Sequence, residues 1–157
     1  MPKLKSHIDT TPSIYGKFAI MANEHRATNF TQGAPDFDTP EWLIARTNFY
    51  MQKGKNQYSP IPGAPALRNA IVQKTKVCYD VSIEIDNVAI TAGAQEGLFA
   101  AISCYVDKDD EVIMFDPIYD AYAGITKFNQ GKSIRLNLLP NGNIDLQAIA
   151  NAITTKT

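Results

Sequence analysis

The sequence predicts an α/β domain built on a mainly parallel sheet. Two patterns carry that expectation. From Asn87 onward, short apolar runs of strand length alternate with stretches of helical periodicity, giving strand, helix, strand, helix, strand, helix. The central run, Glu111 to Phe115, is almost wholly apolar rather than alternating, as expected for a strand covered on both faces. The residues ahead of Asn87 are helix-rich and lie outside this alternation.

Taken in order, residues up to about Thr11 read as a loose arm, and Ile14 to His25 as a short helix. Asn29 to Asp38 is an extended stretch punctuated by Gly33 and Pro35. Thr39-Pro40-Glu41 then has the order of an N-cap, a first-turn proline and a first-turn acid. Trp42, Ala45 and Phe49 supply that helix with an apolar stripe. Lys53 to Pro62 is a polar loop carrying Tyr58, and a second amphipathic helix follows Gly63 with Leu67, Ala70, Ile71 and Cys78 on one side. Asn87 to Thr91 reads as a strand. Ala94 to Val106 reads as a helix with a wide face of Leu98, Phe99, Ile102, Tyr105 and Val106. Lys108-Asp109-Asp110 is a turn into the Glu111–Phe115 strand. Tyr119 to Gln130 is a helix closed by Gly131 as its C′ residue. Ser133 to Leu138 is a strand, and Asp145 caps a last helix through Ile153. Three strands alone would leave an open sheet edge, which points to an incomplete domain.

Composition narrows the function classes. The 157 residues are 45% hydrophobic, enough for a core in a domain of the usual ~100–150 residues. Fifteen basic against sixteen acidic side chains give a net charge of −1, without the basic stripe of a nucleic-acid binder. Cys78 and Cys104 form no CxxC pair and are expected to be reduced core thiols. His7 and His25 have no partner at metal-ligand spacing, so they read as surface or capping residues and no metal site is predicted. No apolar segment follows the charged start Met1-Pro-Lys-Leu-Lys-Ser-His7, so no signal peptide is expected. The longest apolar run, Leu98 to Val106, is interrupted by Ser103 and falls well short of the ~20 residues of a membrane span. The default expectation is a soluble cytoplasmic protein with no nucleic-acid or membrane partner.

Two places carry chemistry. Ile90-Thr91-Ala92-Gly93-Ala94-Gln95-Glu96 is a strand, a turn of small residues and a helix start. Small residues let backbone N–H groups come close to an anion, and the helix start adds unpaired donors and the positive end of its dipole. Gln95 offers an amide donor at the same point. An ordinary strand-to-helix turn has the same composition. The sequence has no GxGxxG and no GxxxxGK[ST]. Gly93 to Gly97 has the spacing of a hydrolase nucleophile elbow, but Gln95 stands where serine is required. The second place is Asp116-Pro117-Ile118-Tyr119, after the Glu111–Phe115 strand. Ligands of parallel sheets bind beyond the carboxyl ends of strands, and a tyrosine there can lie against a flat ring. A core or surface tyrosine at a helix start is the alternative.

Phe30-Thr-Gln-Gly-Ala-Pro-Asp-Phe37, Asn56-Gln-Tyr-Ser-Pro60 with Gly63 and Leu67-Arg68, Thr91-Ala-Gly-Ala-Gln-Glu96, and Asp109-Asp-Glu-Val-Ile113 with Asp116-Pro-x-Tyr-Asp120 follow one another along the chain. In that order they resemble the class I/II aminotransferases of fold type I, which depend on pyridoxal 5′-phosphate (PLP). They are most similar to the methionine and kynurenine/glutamine-K group. The resemblance covers nearly all of the chain after the arm. It implies that Gly93, Ala94 and Gln95 hold the PLP phosphate and that Tyr119 stacks on the pyridine ring. It implies that Tyr58 reaches a phosphate across a homodimer interface. It also implies that Gly33 offers its backbone to the substrate carboxylate, and that Tyr15 lines the substrate pocket, where the family often has tryptophan. Substrates would be an amino acid and a 2-oxo acid. Residues 1–35 would form an arm and small-domain segment, and residues 36–157 the first part of the PLP-binding large domain.

In the family, the aspartate that pairs with the pyridine nitrogen, the Schiff-base lysine and a carboxylate-binding arginine come later than the matched motifs. This sequence has no Asn-Pro dipeptide and no Ser-x-x-Lys ahead of a Gly-x-Arg, so it is expected to lack a catalytic residue. Lys132 follows Gly131, where a cation suits a helix end. Two rivals remain at this point: another fold-type-I activity such as a lyase, and a non-catalytic truncated remnant.

Overall fold

The computed structural model describes residues 8, 13–33 and 35–157. His7 and nearly all of the predicted arm lie outside the described residues. In chain order the elements are α1 (Ile14–Glu24), α2 (Glu41–Gln52), α3 (Pro65–Tyr79), a 3-10 turn (Ile85–Asn87), α4 (Ala94–Tyr105), β1 (Glu111–Asp116), α5 (Asp120–Phe128), β2 (Lys132–Asn137) and α6 (Leu146–Ala152). Packing divides them into two units, residues 1–29 with 92–157 and residues 30–91.

In the first unit, β1 and β2 pair in parallel, from Glu111 opposite Lys132 to Asp116 opposite Asn137. Parallel neighbours need a crossover, and α5 supplies it. Ala121, Ile125 and Thr126 of α5 are buried, as is Met114 of β1. Thr126 can be buried because its hydroxyl donates to the Tyr122 carbonyl at 2.9 Å, which satisfies the polar atom within the helix. α4 packs on α5 through an edge-to-face contact of Phe99 with Phe128 and a 2.9 Å bond from Asn129 Nδ2 to Ser103 Oγ. Asp145 caps α6 by accepting from the Gln147 and Ala148 amides, as expected. The end of the chain returns to β1: Glu111 N donates to Lys156 O at 2.7 Å.

The second unit is organised differently. Among its described residues, Gly63, Arg68 and Val88 are buried. Arg68 is only 8% exposed. Its Nε donates to Val88 O at 2.8 Å, and one terminal nitrogen donates to Ile85 O at 2.6 Å and to Asp86 Oδ1 at 3.1 Å. A buried guanidinium needs such partners, and the fixed fork meets two carbonyls and a carboxylate at once. Ile90 N donates to Pro62 O at 3.0 Å, and the Gly63 backbone lies against the Ile90 side chain.

Several expectations are corrected. Asn87–Thr91 is no strand: Asn87 ends the 3-10 turn, and although Val88 is extended, no strand among the described residues pairs with it. The N-cap of α2 is Pro40, not Thr39. Trp42 and Phe49 are exposed, and α3 buries Arg68 while Leu67 and Cys78 are exposed. Cys104 is exposed as well, so neither thiol is a core residue. Leu98, Ile102 and Val106 are half-buried, but Tyr105 points out. Within β1 only Met114 is buried, because one neighbouring strand and its helices do not cover both faces. After α5, the left-handed residue is Gln130, at φ +64°. Gly131 is required for space instead, since a Cβ there would sit 2.6 Å from Val106 Cγ1. Lys132 opens β2 and pairs with Asp109 at 3.5 Å rather than facing a helix end.

Candidate functional site

The helix α4 starts at the predicted turn. Gly93 is its N-cap, at φ +89°, a conformation that glycine adopts without a Cβ penalty. A Cβ added there would meet nothing within 4 Å, so the turn is open to an approaching group. Ala94 and Gln95 are the first two helical residues, and a helix leaves the N–H groups of its first turn without intrahelical partners. Both side chains are exposed. Glu96 reaches back so that its carboxylate accepts from Ala92 N, which fixes the preceding amide. That role was missed in the sequence: Gly93 has no side chain for a capping box, and Glu96 bonds one residue ahead of the N-cap.

Tyr119 is the N-cap of α5, three residues beyond the carboxyl end of β1, and is 41% exposed. Its ring stands edge-on to Tyr122 at 5.7 Å and is tilted against Tyr15 of α1 at 6.2 Å. The structure therefore brings together Tyr15 and Tyr119, which the sequence named separately. Tyr119 also forms one wall of an apolar cavity of about 360 Å³ with Ile102, Met114, Phe115 and Tyr122. At the carboxyl end of β1, Asp116 accepts from Arg135 of β2, with Nε at 2.8 Å. That bond holds the Arg135 guanidinium above its ordinary pKa. The sequence offered no signal for this pair, because the contact depends on the parallel register that sets Met114 opposite Arg135.

Gly33 and Tyr58 belong to the other unit. Both are exposed, and nothing lies within 4 Å of a Cβ added at Gly33. Among the described residues, no cluster of three or more histidine, cysteine or acidic side chains is placed to hold a metal ion. No helix among them is long and apolar enough to cross a membrane.

A parallel β-α-β unit with an open glycine turn at the start of one helix, and a tyrosine beyond the carboxyl end of a strand, defines an α/β domain with a candidate anion and ring site. Comparison with known proteins gives the family: the profile of aminotransferase class I and II matches residues 26–157, and the chain belongs to it. It is 40% identical to the methionine aminotransferase of Escherichia coli (strain K12) over 147 residues, which are 92% of this chain and 38% of that protein. It is 38% identical to the aspartate aminotransferase of Pyrococcus horikoshii over 75% of this chain and 32% of that protein. Among solved structures, an Escherichia coli protein identified as having a methionine aminotransferase function superimposes with a TM-score of 0.90 at 37% identity, over all of this chain and 42% of that one. The aspartate aminotransferase from Thermus thermophilus with maleate superimposes with a TM-score of 0.91 at 28% identity, over all of this chain and 43% of that one. The fold is that of the fold-type-I aminotransferases, and the chain spans roughly two fifths of its relatives' length.

Proposed function

We propose that this chain is the amino-terminal part of a PLP-dependent aminotransferase that moves an amino group from an amino acid to a 2-oxo acid. The amino acid is methionine or an aromatic or glutamine-like residue, and the similarity to a methionine aminotransferase supports the first of these. In this reading the full-length protein is a cytoplasmic homodimer. Residues 1–35 contribute an arm and small-domain segment, and residues 36–157 the first part of the large domain.

The observation that carries the proposal is the turn at Gly93. It is open, it has a backbone conformation suited to glycine, and it leads directly into the first-turn amides of α4. Such a feature fits a phosphate, since amide donors and the helix dipole both favour an anion there. The exposed Tyr119 ring offers a flat apolar face, which fits a pyridine. PLP, when bound, supplies the electron sink of transamination. The residues of this chain bind and orient. Gly93, Ala94 and Gln95 hold the phosphate, and Tyr119, braced by Tyr15 and Tyr122, sets the plane of the ring. Tyr15 also lines the substrate's side, the Gly33 backbone meets the substrate carboxylate, and the Tyr58 hydroxyl donates to the phosphate held by the partner subunit.

The test is Ala94→Glu in the full-length protein. A carboxylate at the first helical residue blocks the amides and repels the phosphate. PLP affinity, read by fluorescence titration, should fall on the order of tenfold or more. Unchanged affinity in a folded variant would remove the phosphate from this turn.

A further inference from the structure

Arg68 is the one charged side chain buried among the described residues. It lies in the first turns of α3, just after the loop that carries Tyr58. Its three bonds all go to residues 85–88, namely the carbonyls of Ile85 and Val88 and the carboxylate of Asp86. That segment is itself a closed turn: Glu84 N donates to Asn87 Oδ1 and Asn87 N donates to Glu84 O, both at 2.9 Å. Two residues beyond Val88, Ile90 N donates to Pro62 O, and the Ile90 side chain fills the space that a Cβ on Gly63 would need. Gly63 N in turn donates to Pro60 O at 2.8 Å. A continuous path therefore runs from the guanidinium through residues 85–90 to the base of the loop at residues 60–63. Tyr58 stands two residues from that base and is fully exposed. A side chain without packing of its own takes its position from its loop.

We infer that Arg68 is a positioning residue for Tyr58: it clamps residues 85–90, and these fix the base of the Tyr58 loop so that the phenol is held where it donates to a phosphate. The inference rests on the assignment of Tyr58 to the cofactor phosphate. A purely structural arginine would lower stability without coupling to Tyr58; a positioning arginine acts on PLP through that one hydroxyl. The planar fork matters, because a lysine ammonium cannot meet two carbonyls and a carboxylate in the same arrangement.

The test is a double-mutant cycle on PLP affinity in the full-length protein, with folding checked by circular dichroism. Tyr58→Phe alone should weaken PLP binding about tenfold, the scale of one charge-assisted hydrogen bond. Arg68→Gln alone should weaken it by a similar factor, and the double variant no more than the larger single effect. Where Arg68→Gln does not fold, Arg68→Lys replaces it. It should give a smaller loss of affinity that disappears in the Tyr58→Phe background, together with faster amide exchange at residues 57–63. Multiplying effects, or no loss of affinity from either folded Arg68 variant, overturns the inference while leaving Tyr58 in place. An unchanged affinity in Tyr58→Phe overturns the phosphate assignment and the inference with it.

Discussion

Met114, Ala121, Ile125 and Thr126 are buried in the unit built on β1 and β2, whereas Gly63, Arg68 and Val88 are buried in residues 30–91. The first set is a small hydrophobic core, with a hydroxyl satisfied inside its own helix. The second set is a cation, a single valine whose carbonyl accepts from it, and a glycine that makes room for a neighbour. α2 adds little to that second interior, since Trp42 remains 68% exposed. Burial of apolar area is tolerant of detail, because it scales with surface removed from water. A clamp of directed hydrogen bonds and a close backbone contact is not, because leaving a buried carbonyl unpaired costs about 1–3 kcal/mol. The two units should therefore fail in different ways.

Gly63→Ala should give the largest effect. The residue sits at φ +102°, where side chains are strained by roughly 1–3 kcal/mol. Its new Cβ would lie 2.3 Å from Ile90 Cγ1 and 2.6 Å from Ile90 Cβ. The Cβ of Ile90 cannot swing aside without moving its backbone, so overpacking adds about 1–3 kcal/mol more. Urea unfolding of the full-length protein should show a loss of about 3–5 kcal/mol. Amide exchange should accelerate first within residues 60–63 and 85–90. A loss below about 1 kcal/mol would show that the contact is loose and the clamp dispensable.

Ile125→Ala breaks the other side of the comparison. Ile125 is 8% exposed, and truncating a buried isoleucine to alanine costs about 2–5 kcal/mol. The lower half of that range is expected, because so small a core can collapse into part of the space. Exchange should accelerate in α5 and β2 and stay slow at residues 85–90. Equal acceleration at both places would mean that the two interiors do not behave as separate units.

What could be read in advance divides by the range of the signal. The helices α1 to α6 and both strands were legible because their signals are local: helical periodicity, a continuous apolar run, and Asp145 placed as a cap. The turn at Gly93 was legible because small residues before a helix start are a local pattern too. The strand at Asn87–Thr91 was misread because a strand exists only with a partner, and an apolar run does not supply one. Arg68 could be quoted as part of a motif but not understood. Its partners lie 17 to 20 residues further on, and nothing local marks it as buried. Gly131 was assigned the right importance for the wrong reason, since its need for space arises from Val106, Thr126 and Asp110, which only tertiary structure brings near. The contact between Tyr15 and Tyr119 is of the same kind.

The smallest effect is expected at a helix end in residues 30–91 that does not touch the clamp. Asp80 is the C-cap of α3, in the left-handed conformation at φ +54° and ψ +27°. Its carboxylate accepts from Lys76 Nζ at 2.6 Å, but both side chains are largely exposed. An exposed pair of this kind is worth about 0.2–1 kcal/mol. Against it stand two costs of the native residue: the left-handed conformation, about 1 kcal/mol for a non-glycine residue even with the tolerance of aspartate, and a negative charge at the negative end of the helix dipole, about 0.3–1 kcal/mol. Asp80→Gly removes both costs. It loses the pair and adds about 0.4–1 kcal/mol of conformational freedom to the unfolded chain. The balance is a gain of about 0.5 kcal/mol. Asp80→Asn separates the contributions. It keeps the conformational tolerance, loses the pair and relieves the dipole, so it should sit within about 0.3 kcal/mol of the native protein. A more stable glycine variant beside a neutral asparagine variant in urea unfolding would show that backbone conformation decides this helix end. Destabilisation of both by similar amounts would show instead that the Lys76–Asp80 pair holds it.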